Sequence, residues 1–141
     1  GVNPTSTSYK LMVNGQPAAN GYTAFTNYSD VRLKENVTTL GSTLQKIMLI
    51  KPVEFNYNSL AGLDMESQKR RIKGFLAQDV LKVFPEMIGT TTINGDEYYD
   101  LNLSHLQVYL VKAMQEQQVL IENLQRQNEE LIKRMEALEK K

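Results

Sequence analysis

The sequence predicts an α+β fold: a small mixed helix/β-hairpin domain followed by a long C-terminal helix. Three observations carry this. Leu110, Gln117, Leu124, Leu131 and Leu138 recur every seven residues, with Met114, Ile121, Asn128 and Met135 at the other seam position. Two strand-like runs, 86–93 and 96–101, flank Asn94-Gly95, the preferred residue pair of a primed hairpin turn. Short apolar patterns at helical and alternating spacing fill the stretch between residues 38 and 84.

In order along the chain, residues 1–28 hold Gly1, Pro4, Gly15, Pro17 and Gly21 among many Ser, Thr and Asn. Tyr9–Val13 and Gly21–Phe25 are strand-like, and Asn14-Gly15 is a turn signal. This zone has too little apolar side chain for a core of its own, so it needs partner chains or the rest of a parent protein. The leading Gly1, in place of Met, is what an excised or processed piece would show.

Residues 29–109 read as one compact unit. Leu40, Leu44, Ile47 and Met48 predict a helix at about 38–49, which Lys51-Pro52 stops because proline lacks the N–H donor and restricts its predecessor. Val53, Phe55 and Tyr57 alternate with Glu54 and Asn56 as a strand. Residues 58–73 read as a loop carrying Lys69-Arg70-Arg71, a solvated basic run. Leu76, Val80, Val83 and Phe84 predict a short helix over 75–84, ended by Pro85. Asn102 or Ser104 is suited to cap the last helix.

Residues 110–141 form that helix's seam. Seven of the nine seam positions are apolar, and 110–138 spans roughly 43 Å at 1.5 Å per residue. A stripe that long exceeds what one small domain can cover, so self-association is expected. Asn128 at an a position fixes register at some cost in stability, and Gln117 makes a second polar layer. Leu120 and Ile132 widen the apolar face toward three or more helices rather than two.

Composition excludes several classes. Sixteen basic and sixteen acidic residues give zero net charge, so there is no nucleic-acid or membrane footprint. With no cysteine and the single His105, thiolate and His-rich metal sites are not expected, nor is any cofactor. Asp96, Glu97 and Asp100 lack the oxygen spacing of a calcium loop. No apolar run reaches 18 residues, and residues 1–20 lack a signal-peptide profile.

Nucleophilic catalysis needs a nucleophile and a base. With one histidine, lysine is the main alternative, and Ser29 and Lys34 stand at the edge of the compact unit. Five residues is about one and a half helical turns, or opposite faces of a strand, so spacing alone makes this an ordinary surface pair unless a turn joins it. A lysine at its ordinary pKa near 10 is also a poor base until desolvated or set beside another cation.

Ser29-Asp30-Val31-Arg32-Leu33-Lys34-Glu35-Asn36 resembles the start of the C-terminal intramolecular chaperone domain of phage endosialidase tailspikes and tail fibres, the self-cleaving S74 peptidase family. Leu49–Tyr57, Gly74–Val80 with Phe84-Pro85-Glu86, and Tyr99-Asp100-Leu101 leading into Leu106, Leu110 and Val111 are similar to further motifs of that family in the same order. Residues 1–28 are similar to the stem that precedes such domains.

The resemblance implies a parallel trimeric coiled coil and, upstream, the end of a β-structured shaft. It implies a homotrimer that templates the shaft of its own polypeptide, then releases itself. Ser29 matches the cleavage-site serine and Lys34 its partner, with scission between Tyr28 and Ser29. Asp30 and Glu35 would organise the turn. Backbone N–H groups, Asn36 or Gln78 are alternative oxyanion donors, left open. Such a domain belongs to a phage virion tail or a bacterial cell surface, with the released piece in the host cytoplasm if phage-encoded. The alternatives are a non-cleaving trimerisation module and the self-cleaving domain of a membrane-anchored transcription factor of the myelin regulatory type.

Overall fold

The computed structural model describes residues 28–140. The strand-like pieces expected at Tyr9–Val13 and Gly21–Phe25, and the turn at Asn14-Gly15, lie outside them. The chain divides into two compact units, Gly1–Thr38 and Thr39–Lys141.

Within the first unit, the described chain makes a single 3₁₀ turn at Val31–Leu33. Asp30 caps it: its Oδ1 accepts the Arg32 N–H at 2.8 Å, the short-range bond that favours Asp at such starts. The Lys34 N–H donates back to the Val31 carbonyl and closes the turn.

The second unit opens with helix α1 at Leu44–Ile47. Two small antiparallel sheets follow. Strand β1 (Val53–Phe55) pairs with β2 (Ile72–Gly74) in the register Val53↔Gly74, Glu54↔Lys73 and Phe55↔Ile72. Between them lie a 3₁₀ turn at Ser59–Ala61 and helix α2 at Met65–Lys69. Helix α3 (Ala77–Leu81) and a 3₁₀ turn at Pro85–Met87 lead into strand β3 (Ile88–Ile93), paired with β4 (Asp96–Leu101). Asn94 at φ 54° and Gly95 at φ 93° make the connecting turn, the left-handed backbone that this residue pair tolerates. A 3₁₀ turn at Leu103–His105 then runs into helix α4, Leu106–Glu139, 34 residues long.

The core sits where α3, the 85–87 turn and the first turns of α4 meet. Val80, Phe84 and Met87 are fully buried, with Ile47, Phe75, Leu101, Leu106 and Tyr109 packed around them. Phe84 stacks on Tyr109 with centroids 4.5 Å apart. Core contact therefore uses α4 at Leu106, Tyr109 and Ala113, a three- and four-residue spacing on one face. The seam residues Leu110, Met114, Ile121, Leu124, Leu131, Met135 and Leu138 lie on another face and are all exposed.

Four expectations need correction. The first helix is Leu44–Ile47 rather than 38–49: Leu40 lies outside it, because Thr43 is buried at its start and the carboxylate of Glu116 accepts the first amides. The strand ends at Phe55, and Tyr57 instead meets the Phe55 ring edge-on at 5.3 Å. The 58–73 stretch is not a loop throughout, since it holds α2 and the first residues of β2. Asp64 starts α2 by accepting from the Ser67 N–H and hydroxyl. The helix expected over 75–84 is α3, Ala77–Leu81, with Phe84 and Pro85 already outside it. The terminal helix begins at Leu106, close behind the expected cap candidates Asn102 and Ser104. Asn102 caps the 3₁₀ turn before it, accepting from the Ser104 N–H at 2.9 Å.

Candidate functional site

Ser29 and Lys34 meet. Lys34 Nζ donates to Ser29 Oγ at 2.8 Å. Neither a regular helix nor a strand brings residues five apart into such contact. The 3₁₀ turn between them does, by curling Val31–Leu33 so that the extended residues on either side face one another.

The turn is held by Asp30. Besides its capping bond, Oδ1 accepts from Arg32 Nε at 3.0 Å and Oδ2 from the second guanidinium nitrogen at 2.8 Å, a two-pronged pair. The Arg32 side chain, and then its backbone N–H, hold the Asp30 carboxyl below the ordinary carboxylate range. The same pairing raises Arg32. Arg32 is thus committed to Asp30. Asn36, two residues past Lys34, takes the left-handed conformation at φ 52°.

Tyr28, on the carbonyl side of Ser29, is 96% exposed, and Ser29 and Lys34 are exposed as well. Val31, Leu33 and Val37 also stand open, so this segment presents apolar side chains to solvent in the single chain. Gln78 belongs to the second unit, in the first turn of α3. It lines an open apolar groove of about 770 Å³ with Phe55, Tyr57, Phe75, Tyr98 and Tyr99.

The other candidates resolve into structure. Lys69 pairs with Glu66 at 2.7 Å, while Arg71 and Lys73 share Glu54 across the first sheet at 3.3 and 3.8 Å. Exposed pairs of this kind contribute little. The His105 ring lies 6.4 Å from that of Tyr109. Among the described residues there is no group of three or more acidic or histidine side chains fit to hold a metal, and no helix long and apolar enough to cross a membrane.

Sequence reasoning missed one polar cluster. Glu116, on α4, accepts from Ser42 Oγ and from the amides of Thr43 and Leu44. The only local signal was Ser42-Thr43 ahead of an apolar helix start. The partner lies more than seventy residues away.

The described chain thus runs from the Ser29–Lys34 turn through a small α+β unit into a long helix. Residues 29–89 match the family model described as "Chaperone of endosialidase", Peptidase_S74, and over that stretch the chain belongs to this family. Over 97 residues, 68% of this chain, it is 30% identical to the long tail fiber protein Gp37 of Enterobacteria phage M1. It matches Gp37 of Enterobacteria phage Ox2 to the same extent. The chain spans 38% of the length of these relatives.

Proposed function

We propose that this chain is an intramolecular chaperone of a phage tail fibre or tailspike. It joins three copies through α4, templates the folding of an upstream shaft, and then frees itself by serine autoproteolysis between Tyr28 and Ser29. The observation that carries the reading is the 2.8 Å approach of Lys34 Nζ to Ser29 Oγ, one residue from the scissile carbonyl.

The chemistry balances within the chain. A neutral Lys34 accepts the Ser29 hydroxyl proton as Oγ attacks the Tyr28 carbonyl carbon. The tetrahedral oxyanion collapses, the bond from Tyr28 carbon to Ser29 nitrogen breaks, and the new amine takes the proton from Lys34. The resulting ester between Tyr28 and Ser29 Oγ is hydrolysed by water, leaving a Tyr28 carboxylate and a free Ser29 N-terminus. Oxyanion stabilisation needs donors aimed at that oxygen; backbone amides of the turn, Asn36 and Gln78 are the candidates.

Exposure of the pair in one chain bears on timing. In the single chain both side chains of the pair stand in water. Two further chains packed over Tyr28, Val31 and Leu33 would remove water and favour the neutral amine. Scission is thereby tied to assembly. Trimerisation raises the local concentration of three shaft ends whose non-local pairing is slow. Removing the device afterwards leaves the shaft kinetically trapped.

Intact-mass measurement on freshly folded protein, beside native oligomer size, tests the reading. A 28-residue piece and a 113-residue remainder are expected, with both masses lost in Ser29→Ala. An uncut trimer would leave a structural trimerisation module, and a stable monomer would overturn the assembly itself.

A further inference from the structure

The long helix also grips the start of α1, and it does so through Glu116. The carboxylate accepts from Ser42 Oγ at 2.9 Å, from the Leu44 amide at 3.0 Å, and from the Thr43 amide at 3.2 and 3.3 Å to its two oxygens. These amides open a four-residue helix and have no partner within it. The Leu44 amide does most to hold the Glu116 carboxyl below its ordinary range, so it is an anion near neutral pH. Beside it, Thr43 is 3% exposed and its hydroxyl donates to the Tyr109 carbonyl at 2.9 Å. Lys112, one turn back, stands 3.9 Å from the same carboxylate.

Two placements give this clamp a purpose beyond capping. On α4, Glu116 lies between the seam positions Met114 and Gln117 but on the flank that faces the chain's own compact unit. One helical turn therefore carries both the residues available to partner chains and the residue that holds Ser42–Leu44. Along the chain, Ser42 follows Lys34 by only eight residues.

Resting on the cleavage reading above, we propose that Glu116 is a positioning residue for scission: it ties the chain leaving Lys34 to the helix that gathers the copies, so that association of the helices restrains the Ser29–Lys34 turn. Without the clamp, buried Thr43 still holds to the Tyr109 carbonyl, nine residues from Lys34, but the amides of Thr43 and Leu44 lose the acceptor that orients them. Lengthening a flexible tether by one residue leaves effective concentration almost unchanged. Misplacing reacting groups by about 1 Å costs roughly a hundredfold. The size of the rate loss therefore separates orientation from mere tethering.

The test uses the full chain with Glu116→Ala and Glu116→Gln, reading oligomer mass and the first-order rate of scission. The Ala variant is expected to remain trimeric, since the seam is untouched, and to cut at least fivefold more slowly. The Gln variant, which keeps an acceptor oxygen, is expected to recover part of that rate. In uncleavable Ser29→Ala trimers, adding Glu116→Ala is expected to speed amide exchange over residues 30–38. A trimeric Ala variant cutting within twofold of wild type overturns the proposal, as does one that no longer trimerises. If wild-type trimers never cut, the cleavage reading fails, and unchanged exchange over 30–38 would then reject the Glu116 restraint on its own evidence.

Discussion

Tyr109 Oη donates to Glu86 Oε1 at 2.6 Å, joining the first turns of α4 to the turn that follows α3. Its ring lies nearly parallel to Phe84 at 4.5 Å, so one side chain closes the core and anchors the long helix.

That bond gives the stability a pH dependence of known sign. The Tyr109 hydroxyl is the main cause holding Glu86 below its ordinary value, and Glu86 in turn raises Tyr109. For the depressed carboxylate, the contribution is present above the unfolded value of 4.5 and is lost as pH falls through the folded one. For the raised phenol, it is present below 10.0 and is lost as pH rises through the folded value. Tyr109→Phe keeps the stack and removes the bond, so thermal melts should show a loss of about 1 kcal/mol or less near neutrality. The acid limb of Tm should also flatten.

Phe84 is 2% exposed at the centre of the buried cluster. Phe84→Ala should cost about 3–5 kcal/mol, enough to unfold much of so small a core. Denaturant titration followed by circular dichroism checks it, as a lowered midpoint for the near-ultraviolet signal of the compact unit.

Lys34→Arg separates a base from a mere donor. Arginine keeps a positive N–H group within reach of Ser29 Oγ but cannot give up its proton. Scission should stop, by intact mass, while the oligomer persists. Cutting at the wild-type rate would show that Lys34 only orients the serine.

Asp30 caps the turn and pairs with Arg32, and these can be told apart. Asp30→Asn preserves a good capping oxygen and weakens the ion pair, so cutting should stay near wild type. Asp30→Ala removes both and should slow it severalfold, measured as the first-order appearance of the 113-residue product.

The seam makes the assembly prediction. Leu124→Glu places a charge in an apolar layer and should yield monomers by sedimentation. Asn128→Ile should raise Tm while admitting mixed oligomer states, because the polar group that would set register in a coiled coil is gone.

The sequence made some elements legible because their signals are local. Asn94-Gly95 needs no distant partner to specify its turn, and the hairpin falls where those two residues put it. The heptads likewise announced α4. Its start also showed, in the cap candidates Asn102 and Ser104, whereas the use of Leu106 and Tyr109 in the core before the seam begins did not. Strand β2 was hidden because it is three residues long and flanked by basic side chains, and its identity comes from pairing with β1 almost twenty residues earlier. The length of α1 depended on Glu116, far along the chain. The Ser29–Lys34 contact was legible only through the resemblance, because the turn that creates it is a single 3₁₀ loop with no periodic signature.

Leu106, Tyr109 and Ala113 place the root of α4 inside the fold, while the exposed stripe continues along the same rod. In an assembly built on that stripe, domain unfolding and subunit separation become one transition. Its midpoint then climbs with protein concentration, and simple dilution acts as a denaturant.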